Sequence, residues 1–587
     1  MVMSLDNFIP KVHIPVENSR VISVEAMAEF LWKDWTEESV FFLDIETTGL
    51  DPFTCEVVTV QIRNEKGEAY ILKDPVTLEP IKDVLEFNKI VGHNIKFDSK
   101  FLKHHYGVTL FNVYDTYIAE VVISGGLLAS RKGAALKDLA LRYCGVTLDK
   151  TEQTGFRRGF DLTESQEKYA INDLAYLPEI MRAQQEKINI AGMQGVIETE
   201  MKAIPAVVWL ELSGINIDME KVKAIKAKLE SQKAEAKQQL YIAFGSSKIN
   251  LNSTQQLTRA LNALKIPVES TSEEELSKYS HPVIDLLKTY KEAEKLLNTF
   301  VDKIPTYINK KTGRIHSDFN QIGAKSGRFT SSKPNLQQQP SKFTEWRSVY
   351  TASPGCKIVT ADYSQIELRI LGQVAGEPEF INAYKSGEDL HKLTASKIFK
   401  VPLDQVEKEQ RSVAKTVNFG IGYGMQSGGL LRKLKSAGID ATQQEAENII
   451  KGYYHAYPKI TEYLNFISND GLNRLGVRNK AGRIMKFKEP ADKMEAASIM
   501  RESKNLPIQS LCADMIKEAM GNIFIRLHDK PVKFINTVHD EIVMETDSDL
   551  AEYVANVMKE EMEKAGKKYL IDMPCIAEPS ISLQWEK

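Results

Sequence analysis

Near the start of the chain an apolar run, residues 40–43, passes into the alternation Asp44-Ile45-Glu46. Such a run predicts a central strand, and the two-residue period of a strand sets Asp44 and Glu46 on one face. Residues 57–62 and 69–72 predict two further strands joined by a hairpin turn at Glu65-Lys66-Gly67. Residues 90–92 predict a short strand leading into a helix through Phe101 and Leu102, and residues 167–173 predict another helix. After residue 195 the apolar spacing becomes helical: Ile204, Val207, Val208 and Leu210, then long helices over 219–243 and 282–300, with a cap-rich helix start at 250–257. Residues 212–305 therefore predict a protruding helical arm. Residues 313–340 are polar and loop-like. Beyond them, residues 357–359 predict the end of a buried strand before a helix near Ile366, helices follow at 386–391, 409–424, 500–509 and 513–527, and residues 532–545 predict a β-hairpin.

At 587 residues the chain is too long for one core, and about three to four structural units are expected. Apolar content of 43% and charged content of 26% are those of globular protein. No apolar run approaches the roughly 18 residues of a membrane span, and residues 1–25 show no secretory signal. Five scattered cysteines without CxxC spacing argue for a reducing compartment and against structural zinc. A net charge of −3 makes nucleic-acid binding a matter of local charge segregation. Lys221, Lys223, Lys226, Lys228, Lys233 and Lys237 alternate with Glu220, Glu230 and Glu235, so this stretch reads as a solvated helix face.

Carboxylates change the picture. Asp44 and Glu46 side by side on a buried strand repel each other unless a cation lies between them. Asp98 falls in the first turn of its helix, where the dipole alone favours an acid. Tyr169 and Asp173 are four apart and share a helix face. In this order the five residues resemble the motifs of the DEDD exonuclease superfamily, in the proofreading form with tyrosine. That resemblance implies that Asp44, Glu46, Asp98 and Asp173 hold two metals and that Tyr169 orients the attacking water, in an α/β unit closing near residues 188–195.

Asp362, at the exit of its strand, either caps the turn into the next helix or joins a metal site with Asp540 in Val538-His539-Asp540-Glu541. Arg411, Lys415, Phe419 and Tyr423 recur every four residues and make one slowly winding stripe. Two cations and two aromatics on that stripe suit a triphosphate and a base; a snorkelling basic pair above two core aromatics is the alternative. Gly420, Gly422 and Gly424 each weaken the helix end by about 1 kcal/mol, more than packing alone is expected to require.

The assembled set resembles the family A DNA polymerases. Residues 362–369 match motif A, 411–424 motif B and 538–541 motif C, and Ser326-Gly327-Arg328 with Pro334-Asn335-Leu336-Gln337 match the template-primer loop. The resemblance runs from about Phe41 to Trp585 and implies a multidomain α/β and α+β chain. A ribonuclease H-like 3′-5′ exonuclease domain over 1–192 would precede a right-hand polymerase domain over 193–587. The thumb would span about 212–305, the palm about 306–375 and 486–587, and the fingers about 376–485. It implies template-directed DNA synthesis, with Asp362 and Asp540 holding two Mg2+ ions, for which Mn2+ can substitute, and two more ions at the exonuclease site. Arg411 and Lys415 would grip the triphosphate with His391 and Gln365 nearby, and Lys415 would protonate the pyrophosphate. Tyr423 would support the templating position, and Glu367 with Phe419 would exclude a ribose 2′-hydroxyl. Arg328, Asn335, Gln337, Arg501, Asn505, Gln509 and His539 would contact DNA. The implied partners are primer-template DNA, dNTPs and single-stranded 3′ ends, met by a monomer away from membranes. Its place would be cytoplasmic and nucleoid-associated for a bacterial or viral enzyme, or an organelle matrix or stroma for a processed organellar one, and no 5′-nuclease domain is expected. Thr537, Ser510 and Gly422 depart from the common family pattern, where glutamine, glycine and a bulkier aliphatic residue stand.

Overall fold

The computed structural model describes residues 20–33, 35–129, 132–148, 155–340, 343–422 and 424–586. The apolar run at 40–43 forms the strand Val40–Thr47, inside a mixed six-stranded sheet. It pairs antiparallel with Val57–Arg63 and parallel with Lys89–Gly92. Ala69–Lys73 and Arg20–Ile22 extend one side of the sheet, and Asn112–Asp115 closes the other. Val57–Arg63 is buried along its whole length, as a strand covered on both faces must be. The helix Glu164–Ala175 lies on the sheet through Ala170 and Ile171, against Val58, Ala69 and Ile71. This packing carries Tyr169 and Asp173 to the strand that bears Asp44 and Glu46.

The helix Gln194–Ser213 serves two cores at once. Val196, Ile197, Met201, Ile204 and Val208 belong to the core of the N-terminal sheet, while Ala206, Val207 and Leu210 belong to that of the C-terminal half. A helix apolar around most of its circumference is one buried between layers.

In the C-terminal half, Cys356–Tyr363 is flanked by Glu541–Asp547 and by Ala577–Ser582, with Val532–Val538 at the far edge. All neighbours in this four-stranded sheet run antiparallel. The expected arm forms as Met219–Phe244, Thr254–Ala263 and Pro282–Leu296, with its own core around Leu240, Leu257, Leu261, Ile284 and Leu287. Its lysine-rich helix is the solvated face read from the sequence. Lys223 pairs with Glu220, Lys226 with Asp302, Lys228 with Glu345 and Lys233 with Glu294.

Two elements differ from expectation. Residues 500–509 and 513–527 belong to one helix, Lys493–Leu527, which continues through Pro507. The residues on either side of that proline, Leu506 and Ile508, are themselves buried, so packing offsets the lost hydrogen bond. Gly420 also has a packing cause: a Cβ there would lie 2.0 Å from Met425 Cε.

The two halves approach closely at Gly126. Its φ is +79°, and a Cβ would sit 2.9 Å from the Lys325 Cα and carbonyl oxygen. Gly126→Ala combines left-handed strain with a backbone clash, so it should destabilise the protein by about 1–3 kcal/mol. A lower urea midpoint for the variant checks this.

Candidate active sites

The first site is a cavity of about 530 Å3 lined by Asp44, Glu46, Asp98, Tyr169 and Asp173. Asp44, Glu46 and Asp173 each offer an oxygen, all within 4.8 Å of one another. Three full carboxylates that close form a donor set suited to hard divalent cations. Asp98 lines the same cavity but lies outside that trio; it is buried and accepts a hydrogen bond from Ile45 N at 3.1 Å. Burial, reinforced by the Asp44 carboxylate, holds its carboxyl well above the usual range. Burial likewise raises the Tyr169 phenol, with Asp173, Glu46 and Asp44 adding to the effect, so it keeps its proton as a donor.

Sequence reasoning missed the rim. Leu50 is 81% exposed where apolar side chains seldom stand, and Phe97, His93 and Lys137 line the same cavity. The signal was an isolated leucine directly after the Thr47-Thr48-Gly49 turn.

The second site forms where the strand Cys356–Tyr363 meets the hairpin. Asp362 stands in register with Glu541, and Tyr363 N donates to Asp540 O at 3.3 Å, so Asp362 and Asp540 occupy adjoining positions. The capping role open to Asp362 is not taken: the residue before helix Ile366–Ala375 is Gln365, at φ +51° and without a side-chain cap. Gln365 Oε1 instead accepts from the Tyr384 hydroxyl at 3.1 Å. His539, in the hairpin turn, also holds a positive φ of +56°, a strained conformation maintained by the strands on either side.

The neighbouring residues fix this turn from behind. Trp585 Nε1 donates to the buried Glu541 carboxylate at 2.6 Å, and the Arg347 guanidinium lies 4.6 Å over the Trp585 ring. The Thr537 hydroxyl donates to Glu541 O at 3.1 Å inside the hairpin, and Gln337 Nε2 donates to Thr537 O at 3.1 Å. The departure at Thr537 thus leaves a buried hairpin bond in place of a long amide. Ser510 is also structural: its buried hydroxyl accepts from Asn479 Nδ2 at 3.0 Å. Gly422 has ordinary clearance, a Cβ there meeting only Leu371 at 3.7 Å.

Arg411, Lys415 and Phe419 share the outer face of helix Lys408–Gly422, whose inner face buries Val413, Ala414, Val417 and Ile421. Tyr423 lies outside the described residues. Arg411 Nε pairs with Asp389 Oδ2 at 2.6 Å, and Asp389 caps the helix of His391. His391 is buried, 5.7 Å from the Phe419 ring, and Asn418 Nδ2 donates to its Nδ1 at 2.9 Å. Burial lowers its pKa to about 4, with Arg411 and Lys415 adding to the shift and Asp389 opposing it. At neutral pH it is an uncharged ring with its proton on Nε2. Arg328 pairs with Glu367, tying the polar loop to the helix Ile366–Ala375 that follows the strand of Asp362. Arg501 packs along Gly424, and Asn505 and Gln509 follow it half-buried on the same helix. Asn335 is exposed, its side chain accepting from the amides of Gln337 and Gln338.

A groove of about 990 Å3 between helix Pro282–Leu296 and residues 331–340 carries Lys288, Lys291, Lys295, Lys303 and Lys333 against Glu273 and Glu292. The spacing of Lys288, Lys291 and Lys295 is one helical face, a basic stripe legible in the sequence but overlooked beside the longer lysine run.

Residues 219–587 match the family described as DNA polymerase family A, well over half of the chain. The chain belongs to that family. Residues 20–189 match the 3′-5′ exonuclease family. DNA polymerase I of Aquifex aeolicus is 28% identical over 93% of this chain and 96% of its own length. DNA polymerase I of Pseudomonas aeruginosa is 30% identical over 94% of this chain, which spans 64% of that longer relative. The polymerase domain of Pol1 from M. smegmatis superposes with a TM-score of 0.82 at 23% identity, over 97% of this chain and 99% of that one. The polymerase thus has the fold expected from its motifs, an exonuclease domain followed by a family A polymerase domain. No helix among its described residues is long and apolar enough to cross a membrane.

Proposed function

We propose that this polymerase extends primer 3′ ends on a DNA template with deoxynucleoside triphosphates, and that its N-terminal cavity removes mispaired 3′ ends. The observation that carries the first activity is the adjoining placement of Asp362, near the end of its strand, and Asp540, in the turn of the neighbouring hairpin. The M. smegmatis structure, solved with DNA primer-template and dNTP, supports the same reading. Paired carboxylates suit Mg2+, with Mn2+ able to replace it: Asp362 and Asp540 would hold it here, and Asp44, Glu46, Asp98 and Asp173 at the first cavity. Bound there, the ions would supply positive charge for the attacking and departing oxygens.

The chain's own residues do the rest. Arg411 and Lys415 set two cations in one stripe, matched to a triphosphate, and Lys415 protonates the leaving pyrophosphate. His391, held neutral, donates from Nε2 without adding charge. Phe419 offers a ring face to the incoming nucleotide, and Glu367, braced by Arg328, crowds the sugar where a 2′-hydroxyl would stand. Gln365 adds an amide beside the nucleotide, and Arg328, Asn335, Gln337, Arg501, Asn505, Gln509 and His539 supply amide, guanidinium and imidazole groups for primer and template. At the exonuclease cavity Tyr169 donates its phenol proton toward the water or the scissile phosphate. Leu50 and Phe97 give apolar faces to the terminal bases, and Lys137 offers a cation to the backbone. The enzyme works as a monomer, with the arm as thumb, residues 376–485 as fingers and the four-stranded sheet as palm.

A primer-template with a mismatched 3′ end tests both halves. With Mg2+ alone the primer should shorten; with Mg2+ and dNTPs it should be corrected and extended; without Mg2+ neither should occur. Extension without template dependence would refute the assignment. The groove lysines yield a separate expectation. Replacing Lys295, Lys303 and Lys333 together by alanine should reduce the salt dependence of duplex binding by about two to three in log–log slope, as lost phosphate contacts no longer release counterions. Fluorescence anisotropy across a salt series measures it.

A further inference from the structure

Helix Gln194–Ser213 lies between the two matched regions and presents two buried acids, Glu200 and Glu211, about three turns apart and so on one face. Both grip the same short segment of the polymerase half: Gln321 Nε2 donates to Glu200 at 2.6 Å, and Phe319 N donates to Glu211 at 2.7 Å. Glu200 otherwise meets Arg483 and Lys517, within the polymerase half. Glu211 instead reaches across. Its carboxylate meets Lys96 Nζ at 2.5 Å and Lys100 Nζ at 2.7 Å, both on the exonuclease helix Lys96–Tyr106.

Lys96 and Lys100 are four apart and share one face of that helix, with Asp98 between them pointing the other way. One face is therefore bolted to Glu211 while the other delivers Asp98 to the cavity and to Ile45 N. A second contact runs parallel to it. Phe53, in the loop after the Asp44–Glu46 strand, lies 4.2 Å from His316 with the rings tilted, and His316 Nδ1 bonds Glu211 O at 2.8 Å. The same end of the bridging helix thus braces two of the three carboxylate-bearing elements of the exonuclease cavity from outside its fold.

We propose that Glu211 is a positioning residue of the exonuclease site, fixing the Asp98 helix to the polymerase segment that begins the template-primer loop. The inference rests on the exonuclease reading above and adds a residue that no part of the exonuclease fold contains. Asp98 must be held to a fraction of an ångström for its carboxylate to serve, and misplacement of about 1 Å typically costs two orders of magnitude.

The test uses the full chain, with Glu211→Gln, which keeps the shape but removes the charge, and Lys100→Met, which cuts one tie and leaves Lys96 paired. Degradation of single-stranded 3′ ends is measured for kcat and KM, extension of a matched primer is followed in parallel, and amide hydrogen exchange is recorded without metal or DNA. In both variants kcat for degradation should fall at least about tenfold with KM within about twofold. Exchange should quicken in Lys96–Tyr106 but not in the exonuclease helix Leu136–Cys144, and extension should hold. Unchanged kcat in both variants, or unchanged exchange in Lys96–Tyr106, would overturn the inference. So would an equal fall in extension with a general loss of protection, the mark of a merely structural residue. Absence of degradation by the unaltered chain would overturn the exonuclease assignment itself, and this inference with it.

Discussion

Asp362→Ala and Asp540→Ala should each reduce primer extension by about 10³-fold or more, while degradation of single-stranded 3′ ends stays within about twofold. Asp362 stands near the end of its strand and Asp540 in the adjoining hairpin turn. Glu541, the next acid along, is committed to Trp585 and buried. Loss of either aspartate removes half of the charge available for metal in that site. A primer-extension time course, scored beside a gel of single-strand degradation, separates the outcomes. Extension persisting in either variant would show that the polymerase centre lies elsewhere.

The reciprocal variant, Asp44→Ala with Glu46→Ala, should lower 3′-end degradation by about 10³-fold or more and leave matched extension intact. Asp44 and Glu46 are two of the three carboxylates that converge within 4.8 Å. The sheet that carries them has its own core, apart from that of the polymerase strands, so the change should not propagate. The practical sign would be a raised error frequency during copying, read by sequencing the products. Degradation that survives the double change would move the nuclease site away from this cavity.

Local chemistry was the most legible part of the sequence. Strand period alone put Asp44 and Glu46 on one face, helix period joined Tyr169 to Asp173, and a four-residue rhythm found Arg411, Lys415 and Phe419. Each of these depends on neighbours in the chain. Relations across the chain were harder. That Gln337 would reach Thr537, or Arg328 pair with Glu367, follows from how the polar loop folds back over the sheet, which no periodicity encodes. The continuation of the long helix through Pro507 is a further case, since burial on both sides outweighed a local breaker. Glu211 was invisible as anything but a polar residue in an apolar helix, although a buried acid needs partners and the only question was where they lay.

The bond from Trp585 to Glu541 sets an order of assembly on the ribosome. Every carboxylate of the exonuclease cavity has been made by the time Asp173 emerges, and domains fold from the N-terminal end as they are synthesised. The polymerase sheet must wait for residues 577–585, because Ala577–Ser582 supplies the strand on the far side of Asp362 and Trp585 anchors the turn of Asp540. A nascent chain that stalls before that point carries an eraser before it carries a pen.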